Sequence, residues 1–496
     1  MAPILLLFFL SSLLIPSGTE SLQPRPYLIQ LQQIQHQQQK QQAFTSIFIS
    51  QNGIDFLKNY LVGKAISSIV PLKLPIIERT AKIPFLGSVR MVLSNITIDN
   101  INVPSSFVKL GDTGVAVISS GTTCNLTMNW FYDYSTWVLP VDISDSGHAS
   151  VQVEGMELGL TVGLQNQEGS LKLSLMDCGC YVRDIFINLE GGTSWLYQGM
   201  IDAFEDQIRS TVENTITKKL GEGILKLDSF MQALPKEIPV DDYASINVTF
   251  VNDPFLSNYS IAFDINGLFA ARKKDPISIY YHQSLQPPIS CIDSSKMLGI
   301  SLDQAVFESA SSLYYDANFM QWVVDKIPDQ SLLNTAGWRF IIPQLYKKYP
   351  NNDMNLNVSL SSPPVIKILE HGIDATVYAN LILDVLQEDQ VIPVACISLV
   401  IGVSGSIKIS GNKFGGNVQL NDFSLSLEWS KIGRLRLYLI QPVLWTIIQT
   451  VFLPYVNAHL GQGFPLPIVH GFTLQNAESV FSSSKITICG DVEVTA

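Results

Sequence analysis

Charge is scarce in this chain. Asp, Glu, Lys and Arg make up 15% of its 496 residues, against 47% for the hydrophobic set. That balance is oily for a soluble protein and points to interior apolar surface beyond ordinary packing. The net charge is −12, which argues against generic nucleic-acid binding. Catalytic signatures are missing as well: there is no Gly-x-Ser-x-Gly, no His-Glu-x-x-His and no phosphate-cradling glycine loop. The six histidines, His36, His148, His282, His371, His459 and His470, show no metal-ligand spacing. Six cysteines are too few for a disulfide scaffold, and Cys178-Gly-Cys180 lacks the second cluster that a zinc site needs. The expectation is a non-enzyme without metal or cofactor.

The length exceeds what one hydrophobic core serves, so two domains are expected. Residues 1–21 hold "ILLLFFLSSLLI" followed by "PSGTES". They read as a secretory signal peptide, too short to span a bilayer, although no Lys or Arg precedes the apolar run. Asn-x-Ser/Thr acceptors at Asn95, Asn125, Asn247, Asn258 and Asn357 agree with a secreted, extracellular glycoprotein. Residues 22–43 form a Gln-rich spacer with no core-forming period.

From residue 51 the pattern is helical, with Ile54, Leu57, Leu61 and Ala65 in a stripe that Pro71 closes. Strands dominate to about residue 189. "VQVEGMELGLTVGL", 151–164, alternates strictly, and its second face turns apolar from Met156 onward. A second helix starts at "GGTS", with Tyr197, Ile201, Phe204, Ile208 and Val212 opposite Asp202, Glu205, Asp206, Arg209 and Glu213. Charge and prolines concentrate in 272–292, which reads as the linker between a first domain, 44–271, and a second, 293–496. The second half repeats the order: a helical segment at 301–326, strands at 354–429, and an apolar helix at 436–461. Residues 437–456 carry no charge, but Pro442, Pro454, Gln441 and Gln449 favour a buried helix over a membrane span.

The chain ends "VNAHLGQGFPLPIVHGFTLQNAESVF", 456–481, where Asn457, Leu460, Gly463, Phe464, Pro465, Leu466 and Pro467 stand in the pattern N..L..GFPLP. This resembles the closing signature of the family of bactericidal/permeability-increasing protein, lipopolysaccharide-binding protein and lipid-transfer relatives. Segments 311–328, 343–366 and 430–437 extend the likeness, and 178–198 carries it more weakly into the first half. It looks most like the plant members. The resemblance implies an α+β fold: two similar domains, each a twisted antiparallel β-barrel with a long helix, joined by a central sheet into an elongated boomerang. It implies that the proline-rich elbow ends the last helix and starts the return to the central sheet. It also implies apolar pockets for phospholipid or lipopolysaccharide acyl chains.

Candidate pocket residues are Ile54, Leu57, Leu61, Tyr197, Ile201 and Phe204 in the first half and Ile447, Ile448 and Val451 in the second, although each stripe equally suits an ordinary core. Lys73, Arg79, Lys82 and Arg90 are candidates for headgroup phosphate. On one continuous strand Lys82 and Arg90 would share a face and Arg79 would lie opposite. The segment matching the family's basic tip, 129–140, has no Lys or Arg. Trp130, Tyr132, Tyr134 and Trp137 there are candidates either for a membrane-interface tip, touching the surface without spanning it, or for core. The family's second bridging cysteine has no counterpart near Gly221, which moves the expected bridge to Cys124 with Cys178 or Cys180; Cys396 with Cys489 is a further pairing. The implied use is recognition of bacterial lipopolysaccharide in innate defence, or else phospholipid carriage without a microbial role, with a lipid hydrolase as a third class.

Overall fold

The computed structural model describes residues 42–495 except 84–86, 112–113, 136–141, 191–193, 273–280, 282, 284–290, 292–294, 327–329 and 389. The signal segment and most of the spacer and linker lie outside those residues. Residues 43–496 form one compact unit.

A six-stranded antiparallel sheet joins distant parts of this unit, in the order Phe255–Leu256, Ser260–Ile265, Thr45–Ser50, Leu298–Asp303, Lys485–Val494, Phe472–Ser482. Thr45–Ser50 lies between a strand of the first half and one of the second, pairing Ile47 with Phe263 on one side and Ile300 on the other. Two larger antiparallel sheets extend from it. The first has eight strands, built on Gly87–Asn102, Gly114–Ser135 and Asp142–Gln167; the second has seven, built on Gly372–Gln387, Gln390–Ser410 and Lys413–Ser430. Long strands change neighbours along their length. Asp142–Gln167 pairs with Asp184–Glu190 at its start and with Ser170–Tyr181 at its end, so the sheet curls instead of lying flat.

A helix closes each curled sheet. Ser194–Gln232, 39 residues, lays Phe204, Ile208, Val212 and Ile216 into a core shared with Met91, Ile98, Met128 and Trp130. The C-terminal run is α-helical over Leu437–Ile447 and Leu453–Gln462, with a π turn, Ile448–Phe452, between them. Pro454 has no amide proton to give an α-helical bond, and a wider turn just before it accommodates the loss.

The elbow follows. Gly463 ends the helix at φ 64°, where any Cβ would meet the Phe414 carbonyl, so only glycine suits the position. Phe464–Pro465 pairs with Lys413 and Phe414 before the chain re-enters the central sheet at Phe472. Asn457 explains itself in the same place: its Oδ1 accepts from the Val418 amide at 2.7 Å and its Nδ2 donates to the Val418 carbonyl at 3.1 Å, tying helix to strand.

Several expectations change. The strict alternation of 151–164 breaks at Gly155, φ 63°, where an extra residue bulges the strand. Val151, Val153 and Met156 are therefore all buried, and the apparent switch of faces is one face continued through a bulge. The segment at 301–326 is not one helix: the strand Leu298–Asp303 leads into a helix, Gln304–Asp316, capped by Asp303, and a strand follows at Gln321–Val324. Leu437–Gln462 is long and apolar enough to cross a membrane, and only 22% of its most apolar stretch is buried. Ile440, Leu444, Ile447 and Ile448 pack on the sheet, while Tyr438, Trp445 and Tyr455 face outward. Full burial, as expected from composition, does not hold.

Candidate functional site: an apolar seam beneath the long helix

The helix Ser194–Gln232 is held on its sheet by two kinds of contact. Toward its middle and end the contacts are polar. Arg209 donates to the carbonyls of Val182 at 3.0 Å and Arg183 at 2.9 Å, and its other terminal nitrogen pairs with Glu205 at 2.7 Å. Glu213 accepts from the Val182 amide at 2.8 Å, and Asp228 from the Leu173 amide at 2.7 Å. These bonds satisfy backbone groups that an irregular strand edge would otherwise leave unpaired. The polar stripe of the helix is thus a clamp as well as a solvated face.

Nearer the helix start, a group of described side chains makes an apolar contact. Ile201, Phe204 and Ile208 face Leu93, Met128 and Trp130 on the two long strands and Ile187 and Leu189 on the short one. These eight side chains border a seam with about 10 Å³ of open space, roughly the room one water needs. Among the described residues no charged, hydroxyl or amide side chain lines it. The Trp130 indole turns its one polar atom away, donating to the His148 carbonyl at 3.0 Å. The lining is chemically suited to an aliphatic chain, and the gap as it stands is too narrow to hold one.

Residues 53–232 match the profile of the LBP / BPI / CETP family, N-terminal domain, and residues 239–494 match that of its C-terminal domain. The chain belongs to this family. A BPI/LBP family protein of Arabidopsis thaliana is 62% identical over 92% of this chain and 93% of its own length. Bactericidal permeability-increasing protein of Sebastes schlegelii is 25% identical over 89% and 93%, and human lipopolysaccharide-binding protein 23% identical over 81% and 84%. The crystal structure of lipopolysaccharide binding protein superposes with a TM-score of 0.63 at 20% identity, covering 92% of this chain and all of that one. The fold of curled antiparallel sheets with few helices is therefore the BPI/LBP fold.

In this family member the expected site residues separate. Ile201 and Phe204 lie on the seam, and the Tyr197 side chain is outside the described residues. Ile54 is buried elsewhere, against Leu110 and Ile261; Leu57 is half-buried, and Leu61 is 44% exposed, so the first helix does not line the seam. Ile447 and Ile448 are core residues of the second half, with Val451 packed beside them.

Lys73, Arg79, Lys82 and Arg90 are exposed. Ile77–Ile83 and Gly87–Asn102 are two strands of a hairpin, not one continuous strand; pairing of Thr80 with Arg90 and Lys82 with Ser88 nonetheless puts Lys82 and Arg90 on one face, with Arg79 opposite. Arg90 is committed: its Nε bonds Glu78 at 2.6 Å and its Nη1 lies 3.6 Å from Asp133. These partners hold its proton more tightly than an isolated guanidinium would.

Of the two readings of the aromatic segment, the structure supports core and not an exposed tip for Trp130 and Tyr132. Trp130 and Tyr132 are buried and Tyr134 half-buried, because they sit on the inward face opposite Leu93, Met91 and Val89. Trp137 lies outside the described residues. The disulfide expectation is corrected. Cys489 bonds Cys291, across 198 residues, and Cys124, Cys178, Cys180 and Cys396 are free thiols. Burial pushes the Cys124 and Cys180 thiols up to about 12. Of the acceptor asparagines, Asn95, Asn125 and Asn258 are exposed and Asn247 and Asn357 half-buried.

Proposed function

We propose that this protein is a secreted lipid-binding protein that is not an enzyme, and that it takes acyl chains between the long helix and its curled sheet. The observation that carries the reading is the seam's lining, eight apolar side chains among the described residues. Each methylene buried contributes about 0.8 kcal/mol, so a chain of about a dozen methylenes offsets the separation of a few packed side chains. The Arg209–Glu213 clamp marks the hinge, and the helix start beyond it is the part that lifts. Names of relatives point to lipopolysaccharide as the lipid, with innate defence against bacteria as the use.

A second reading, a phospholipid carrier without microbial recognition, draws support from Arg90. That cation is already paired with Glu78 and Asp133, which weakens charge-led capture of lipid phosphate.

Native mass spectrometry of the secreted protein, before and after incubation with phospholipid vesicles or lipopolysaccharide, tests both. Bound lipid is expected. Uptake that weakens as salt rises favours phosphate-led capture, and uptake indifferent to salt favours the carrier. No lipid bound or acquired rejects both, and turnover of phospholipid by the purified protein would return the hydrolase reading.

A further inference from the structure

The far end of the second half is opposite in sign to the chain as a whole. Near the central sheet, Ile373, Ile407 and Phe414 pack with Ile300 and Ile486. At the other ends of the same strands lie residues 330–352 and 429–437. Trp338, Ile342, Leu345 and Ile432 share one core there, and Lys348 Nζ donates to the Lys431 carbonyl at 3.3 Å. Lys431 in turn donates its amide to the Val394 carbonyl at 2.8 Å.

These two segments contain six cations, Arg339, Lys347, Lys348, Lys431, Arg434 and Arg436, and no Asp or Glu, while the exposed acids among the described residues bordering them at the same strand ends, Asp353, Glu388 and Glu428, are fewer. Over the whole chain acids outnumber bases 43 to 31. All six side chains are exposed, and none takes part in the carboxylate ion pairs found among the described residues. Beside them stand two bare rings: Phe340, 76% exposed with the Arg339 guanidinium 4.5 Å from its centre, and Tyr438, 66% exposed. Tyr438 begins the outward face of Leu437–Gln462, which carries no Asp, Glu, Lys or Arg and presents Trp445 two turns on.

We propose that this end of the second half docks on membranes that carry anionic phospholipid. Lys and Arg near such a surface contribute about 1 kcal/mol each, and aromatic rings favour the headgroup boundary. An uncharged aromatic helix face adjoining the cations is what separates this occupant from a nucleic acid or an acidic protein, which would want charge throughout. Docking is a surface event and does not depend on uptake into the seam.

Flotation of the full chain with vesicles tests it, comparing phosphatidylcholine alone with phosphatidylcholine containing phosphatidylserine at low and at physiological salt. Binding is expected to the anionic vesicles only, and to weaken with salt. Lys347→Glu with Lys348→Glu and Lys431→Glu should lower it at least ~100-fold, since three contributions of about 1 kcal/mol are lost. Lys109→Glu with Lys218→Glu, exposed lysines of the first half that belong neither to the seam nor to the phosphate candidates, should leave it within about twofold by the same reckoning. Should the charge reversals compromise folding, Phe340→Ala with Tyr438→Ala reads the aromatic part separately and should also weaken binding. Equal binding to neutral vesicles, undiminished binding by both second-half variants, or retention on DNA but not on vesicles would overturn the proposal.

Discussion

The rings of Trp130 and Tyr132 lie 5.9 Å apart with their planes 5° from parallel. Tyr134 continues the stack at 6.3 Å, so alternate residues of one strand form an aromatic ladder under the long helix. Their neighbour Phe131 points to the other side, at the sheet's exposed face.

Trp130→Ala should therefore act as a core truncation, costing about 3–5 kcal/mol. Phe131→Ala, one residue away, should cost much less. Urea unfolding of both variants checks the contrast, and equal losses would contradict the inward placement of the ladder.

Arg209→Ala removes donors to the Val182 and Arg183 carbonyls. Stability should fall by about 1–3 kcal/mol, and exchange of bound lipid should accelerate because the helix start is less firmly hinged. Stopped-flow transfer of a fluorescent phospholipid reads the second effect, which a purely structural role would not produce.

Replacing Cys291 or Cys489 by Ser opens a crosslink spanning 198 residues. A loss of roughly 2–5 kcal/mol is expected, measured by thermal unfolding. Cys396→Ser should leave the bridge intact, and non-reducing peptide mapping should recover a Cys291–Cys489 pair in that variant.

Alkaline pH should destabilise the fold through Cys124 and Cys180. A free thiol ionises near 9.0, whereas burial holds both of these near 12. Between those limits the unfolded chain releases protons that the folded chain keeps, so stability is full below pH 9 and declines as pH rises toward 12. Unfolding midpoints measured across that range should fall less steeply in Cys124→Ala.

Much of this was legible in the residues. The stripe Phe204, Ile208, Val212 marked a buried helix face because its period of three and four survives folding unchanged. The elbow was legible because Gly463 and its prolines restrict the backbone locally. Other features depend on partners far away in the chain. Gly155 tolerates either phase of alternation, so the bulge appears only when its neighbour strand is in place. Arg209 reads only as one member of the polar stripe, because the carbonyls it holds belong to residues 182 and 183. Trp130 suits a surface or a core equally well until the sheet curls. Cys291 finds Cys489 through the central sheet, and the cations at 339–348 and 431–436 become one patch only after three strands bring them together.

Photolabelling addresses the central claim most directly. The protein would be incubated with a phospholipid bearing a photoreactive group within its acyl chain, irradiated and digested. Labels are expected on peptides carrying Leu93, Met128, Ile187, Leu189, Ile201 and Phe204, and Ile201→Trp, which fills the seam, should remove most of them. Labelling confined to the outward face of Leu437–Gln462, or unaffected by Ile201→Trp, would contradict uptake beneath the long helix.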